Sequence, residues 1–202
     1  QKNVNGFGMM EFDLDIAKQL NILYFKDNEN FIFKINPEQA DNEIIFIMGS
    51  EFSNVKTFAE LSTKLNEHIT IGKNEIMSKF NLWKYKLTDH ETFAIPELAF
   101  NIQKSYDELI NQNVYSANKT YTVKIAKQRN ALLLNNKGAK LESEAEMAVA
   151  AAAAPPMDDK IIQKHLFLNN TIFKIFKHTS KQNPYFCVKI HTDELMTKKK
   201  KK

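Results

Sequence analysis

Five histidines, one cysteine and five glycines are the residue types through which this 202-residue chain could make or break bonds. His68, His90, His165, His178 and His191 stand apart, with no pair at metal-ligand spacing and no carboxylate placed as in a zinc protease, so the pattern assigns no metal and no cofactor. Cys187 has no partner for an intrachain disulfide and, in the apolar run "YFCVKI", reads as a buried, inert thiol. The scattered glycines form neither a phosphate-cradling loop nor a Gly-x-Ser-x-Gly elbow. These blanks leave no catalytic constellation, and the chain is read as not an enzyme. What remains is "SEAEMAVAAAAAPPM", residues 143–157, almost all small side chains after an acidic start, which is the interior of a helix, a linker, or a loop built to be cut or moved.

Composition bounds what must position that segment. With 43% hydrophobic and 26% charged residues, the chain has enough apolar material for a core and is not a disordered polymer. Five of its 28 basic residues are the terminal lysines 198–202; without them 23 basic residues face 24 acidic ones, so no domain-wide cationic field exists for nucleic acid. The lysine run reads as a solvated tail that engages neither membrane nor nucleic acid. No window approaches 18 uninterrupted apolar residues. The start "QKNVNGFGMM" has neither an initiator Met nor a signal-peptide core, and is expected to lie inside a longer protein. The compartment, extracellular or cytoplasmic, stays open. "HTDEL", residues 191–195, is not terminal and so is no retention signal.

The hydrophobic pattern predicts a buried strand over residues 42–49, then a helix through Val55, Phe58, Leu61, Leu65 and Ile69, capped by Ser53 or Asn54. Residues 79–87 alternate imperfectly through Phe80, Leu82, Tyr85 and Leu87 as sheet, and "TFAIPELAFNI" continues extended with a break at Pro96. "SYDELINQ" suggests a helical turn. "YTVKIAKQRNALLLNNKGA" alternates at Tyr121, Val123 and Ile125, then runs from Ala131 to Leu134 into the turn "NNKG". Two apolar strands, 171–176 and 185–190, close the pattern across a hairpin connection. The expectation is a sheet-dominated α+β fold with its helices early.

Against that frame the alanine stretch has two readings. By propensity "LESEAEMAVAAAAA" is a helix stopped by Pro155 and Pro156. Yet it lies between strands, follows a turn and offers no amphipathic face. A segment that slides between existing strands needs small side chains on its buried face and no proline until insertion is complete.

In order along the chain, "IPELAFNIQKSYDEL", "QRNALLLNNKGAKLESEAEMAVAAAAA" and "FLNNTIFKIFKHTSKQNPYFCVKI" resemble the C-terminal part of the serpins. The match runs over residues 42–190, and the hinge is its most specific element. The resemblance implies a serpin-like domain over residues 1–197 that is N-terminally truncated, followed by the 198–202 tail. It implies an exposed loop offered as bait to a serine or cysteine protease, which forms an acyl-enzyme, after which the cut loop inserts as a new strand and distorts the protease. It also implies a monomer whose partner is the target protease.

Carried across, Gly138 is the hinge glycine, Glu144 and Ala145 the hinge glutamate and alanine, and Ala148 with Ala150 to Ala154 the small-residue run, Ala150 and Ala151 included. The hinge here carries the extra "AKLES", and Asn136 and Lys137 replace the usual glutamate before the glycine. Counting from Glu144 puts the bait bond at Pro156-Met157 or Met157-Asp158; counting from Gly138 puts it near Ala152. Two other readings stay open: a non-inhibitory serpin-like binding or storage protein, and an unrelated α+β interaction domain whose alanines form a helix.

Overall fold

The computed structural model describes residues 4–35, 41–79, 81–116, 119–136, 138–140, 162–169, 172–181 and 184–198. The fold is mixed α+β. Its centre is β4 (Asn42–Met48), the middle strand of an antiparallel sheet ordered β13-β12-β4-β3-β2, with β2 spanning Leu20–Asp27, β3 Asn30–Ile35, β12 Ile172–His178 and β13 Phe186–Ile190. The strand reads as an unbroken apolar run because both of its faces are covered. Ile44, Phe46 and Met48 enter one cluster, whereas Ile45 and Ile47 enter another. Glu43 ties three strands together, taking Lys34 of β3 at 2.9 Å and Lys177 of β12 at 2.9 Å. Burial pushes its carboxyl pKa up, but the two lysine contacts outweigh it and hold the group below its ordinary value.

The 20-residue helix α2 (Phe58–Met77) covers the Ile45/Ile47 face with Leu61 and Leu65. It starts later than the apolar spacing predicts. Thr57, not Ser53 or Asn54, is the cap: its Oγ1 accepts the Glu60 amide at 3.2 Å, and Glu60 returns its carboxylate to the Lys56 amide at 2.9 Å. Neither Ser53 nor Asn54 has an acidic residue three positions on to reciprocate. Val55 is buried on the same side from the preceding loop, where its carbonyl accepts Lys189 Nζ at 2.9 Å. Where α2 crosses β2, Gly72 permits the approach, since a Cβ there would lie 2.0 Å from the Leu23 carbonyl oxygen.

The opposite face is covered by β5 (Thr92–Pro96), flanked by β1 (Gly6–Met9) and by β11 (His165–Phe167), the latter parallel to it. Beside them β6 (Leu98–Ser105) and β9 (Lys127–Asn135) pair over eight positions, and their inner ends, Leu98 and Leu134, join the same core. Pro96 separates β5 from β6, as the sequence suggested. β7 (Asn113–Ser116) and β8 (Lys119–Thr122) form a two-stranded ribbon between β6 and β9 that extends the expected alternation only as far as Thr122.

Two further expectations are corrected. Residues Leu82–Tyr85 form a 3-10 turn rather than sheet; Phe80 lies outside the described residues. Asn81 enters the left-handed region at φ 52°, and Glu75 of α2 holds the turn by accepting Lys84 Nζ at 3.0 Å and Tyr85 Oη at 2.6 Å. These contacts override the alternation of apolar residues. Cys187 is exposed on β13, the edge strand, rather than buried, although desolvation raises its thiol pKa. The short helix α1 (Leu14–Gln19), capped by Asp13, and strands β1 to β3 carry no expectation from the sequence.

On the face toward β5, Lys174 is wholly buried, flanked along β12 by Ile172 and Phe176. Its Nζ donates to the Pro96 carbonyl at 3.2 Å and lies 5.4 Å from the Phe46 ring centroid. Burial without a carboxylate partner lowers its pKa to about 7. The folded pKa is therefore below the unfolded one, so the native state binds fewer protons between about pH 7 and the ordinary lysine value, and stability rises with pH through that window. Urea denaturation is expected to show up to about 1.4 kcal/mol gained per pH unit there, and Lys174→Met is expected to abolish the gain while stabilising the chain at pH 7. Gly72→Ala is expected to cost about 1–3 kcal/mol in the same assay, because α2 must withdraw from β2.

Candidate functional site

The residues singled out from the alanine stretch fall between two anchors. Glu144, Ala145, Ala148, Ala150, Ala151, Ala152, Pro156, Met157 and Asp158 all lie outside the described residues. Gly138 is described, and it opens β10 (Gly138–Lys140), which turns back antiparallel along β9 in the register Gly138↔Asn135, Ala139↔Leu134 and Lys140↔Leu133. Asn136, after β9, is a turn residue where "NNKG" announces one; Lys137 lies outside the described residues. β10 lies on the edge of β9 away from β6. Beyond Leu133, no strand among the described residues pairs with that edge.

The second anchor, at residues 163–165, is polar and dense. Lys164, 1% exposed, places Nζ 2.5 Å from Glu91 Oε1 and 2.7 Å from the Trp83 carbonyl, beneath the Trp83 ring at 5.2 Å and the Phe25 ring at 5.8 Å. Glu91 is answered in turn by two backbone amides: Lys164 N at 3.1 Å on Oε1 and Thr88 N at 2.7 Å on Oε2. Desolvation lowers the Lys164 pKa, and the Glu91 contact works against it.

Neighbouring groups brace the same three residues. Asn28, in the β2–β3 turn, donates to the Gln163 carbonyl at 3.0 Å and accepts the His165 amide at 2.9 Å. Gln163 Nε2 donates to the His90 carbonyl at 2.6 Å, and Thr92 N donates to the Lys164 carbonyl at 3.1 Å. Residues 163–165 are thus fixed to β5, to the β2–β3 turn and to the Trp83 turn, immediately after the alanine-rich segment.

His68 and His165 are held by neighbouring groups. His68, on the buried side of α2, has Nδ1 2.8 Å from the Lys64 carbonyl and Nε2 3.1 Å from Glu51, and His165 Nδ1 lies 2.9 Å from Thr92 Oγ1. Among the described residues no group of three histidine, cysteine or carboxylate side chains is placed to hold a metal. Two surface hollows lie along α2, one lined by Thr63, Asn66, Glu67, Thr70 and Ile71, the other partly by Ile45, Phe58, Leu65 and Ile69, and neither contains a histidine or cysteine.

Sequence reasoning missed Glu91, Lys164, Asn28 and Trp83. Their partners lie 73 to 137 positions apart, so no local spacing marks them. Comparison of the chain with protein-family models and with curated proteins finds no match.

Removing one member of a buried ion pair strands the other, which typically costs about 3–5 kcal/mol. Glu91→Gln is expected to destabilise the chain by that order in urea denaturation and to open β11 first in limited proteolysis. Adding Lys164→Met is expected to recover most of the loss.

Proposed function

We propose that the chain is the loop-bearing part of a serpin-type inhibitor of serine or cysteine proteases, with the alanine-rich segment as bait. The observation that carries this reading is β10, Gly138–Lys140, which precedes that segment in the chain and runs antiparallel along an edge of β9 that no described strand occupies further along. The protease nucleophile attacks the carbonyl of the bait residue, Met157 or, in the alternative register, Ala152. The peptide C–N bond breaks, the new amine leaves with a proton from the protease's general acid, and the bait residue stays bound as an acyl-enzyme. The freed upstream arm, led by Glu144 and Ala145, adds to the sheet as a strand, and its small residues let it pass. The downstream end, held by Lys164 and Glu91, stays with β11. No group of this chain supplies chemistry in that sequence; its contribution is the strand-forming arm.

A second reading is favoured by the added "AKLES" in the hinge: a non-inhibitory serpin-like binding or storage protein, cut as an ordinary substrate. Incubation with elastase-like and chymotrypsin-like proteases, read on denaturing gels with mass spectrometry of the released peptide, separates the two. The inhibitor gives a covalent band and a cut between Ala152 and Asp158. A cut there without the band establishes the second reading instead, and no preferred cut in that window contradicts both.

A further inference from the structure

The near balance of 23 basic against 24 acidic residues outside the lysine tail is not evenly spread along the chain. Residues 110–130 hold Lys119, Lys124, Lys127 and Arg129 and no aspartate or glutamate. This stretch contains the β7–β8 ribbon and the return into β9. The groups that meet its cations are neutral: Lys124 Nζ donates to Asn111 Oδ1 at 3.5 Å and Arg129 Nε to Asn101 Oδ1 at 2.7 Å. Among the described residues none of the four pairs with a carboxylate.

The same ribbon exposes apolar surface. Val114 lies opposite Tyr121 and Tyr115 opposite Thr120. Opposed residues share a face and successive ones alternate, so Val114, Tyr121 and Lys119 stand on one face and Asn113, Thr122, Tyr115 and Thr120 on the other. The second face is partly closed on itself, because Thr122 Oγ1 donates to Asn113 Oδ1 at 3.1 Å. The first is open: Val114 is 51% and Tyr121 54% exposed, and neither joins a core cluster. Ile125, exposed as well, follows in the link to β9. Apolar side chains held in water beside uncompensated cations are the two halves of an interfacial binding surface.

We infer that the Val114–Tyr121 face of the ribbon docks on an anionic lipid surface, with Lys119 and Lys124 drawn to the charged headgroups. Charge and side-chain type select this partner over the others. A second copy would bring the same uncompensated cations against one another. A nucleic acid would satisfy the cations, but Val114 and Ile125 offer its bases no ring to stack on. A lipid interface uses both features: basic side chains are attracted to an anionic leaflet, the aliphatic groups leave water, and the ring and hydroxyl of tyrosine suit the headgroup level. No third strand pairs with β7 or β8 among the described residues. The backbone groups on the ribbon's outer edges would lose water without replacement in hydrocarbon, which keeps the ribbon at the surface rather than across the bilayer. The inference does not rest on the proposed function; it concerns where the chain is held, whatever its alanine-rich segment does.

The test uses the full-length chain with lysines 199–202 replaced by glutamine, because that run would itself be drawn to an anionic leaflet. This chain is expected to sediment with vesicles of phosphatidylcholine and phosphatidylserine and to stay in solution with phosphatidylcholine alone. Lys119→Gln and Lys124→Gln are each expected to lower the partition coefficient by about five-fold, and Lys119→Arg with Lys124→Arg to keep it, a rescue that a disrupted ribbon would not give. Tyr121→Ser is expected to weaken binding, whereas Tyr115→Ser, which removes a more exposed tyrosine from the opposite face, leaves it unchanged. No dependence on phosphatidylserine, binding indifferent to both lysine changes, an equal loss from Tyr115→Ser, or displacement of the vesicles by single-stranded DNA or by soluble glycerophosphoserine overturns the inference.

Discussion

A lysine sealed from water has to be answered by the protein around it, and at Lys164 the answer holds the architecture together. Its ammonium meets the Glu91 carboxylate and the Trp83 carbonyl, under two aromatic rings. Because Glu91 precedes β5, Trp83 lies in the turn after α2 and Lys164 leads into β11, one buried charge joins three parts of the chain distant in sequence. Such a pair is a poor source of net stability, since the desolvation of both charges offsets their attraction. It fixes position instead: the pair is satisfied only while residues 163–165 stay in place.

That constraint gives the alanine-rich segment two unequal ends. The downstream end is tied by side chains and backbone to elements that bear the core. The upstream end is tied by three residue pairs in a hairpin at a sheet edge. If a bond between them is cut, the upstream arm is the one whose present contacts can be extended without breaking others, because the next positions of β9 continue the pairing already begun.

Much of this fold is legible in the sequence wherever burial on two faces or a local turn dictates it. The apolar run of β4, the break at Pro96 between β5 and β6, the "NNKG" turn and the closing pair β12 and β13 appear where the pattern puts them. The pattern fails where a distant partner decides. The 3-10 turn around Trp83 is set by Glu75 from α2, and the start of α2 by the Thr57–Glu60 reciprocity rather than by the first apolar residue. Lys164 and Lys174 carry no expectation from the sequence and are buried in the fold. Of the candidate site residues, Gly138 is placed by the structure at the root of β10, and the rest lie outside the described residues.

Amide hydrogen exchange along β9, compared between the intact chain and the chain cut within residues 152–158, tests the central claim most directly. A strand that adds to the open edge takes up amides that otherwise face solvent, so the cut chain should show new protection among residues 127–132, with β11 unchanged in both forms. Unchanged exchange at 127–132 after a complete cut would contradict the account, because the freed arm would then have left the sheet edge as open as before.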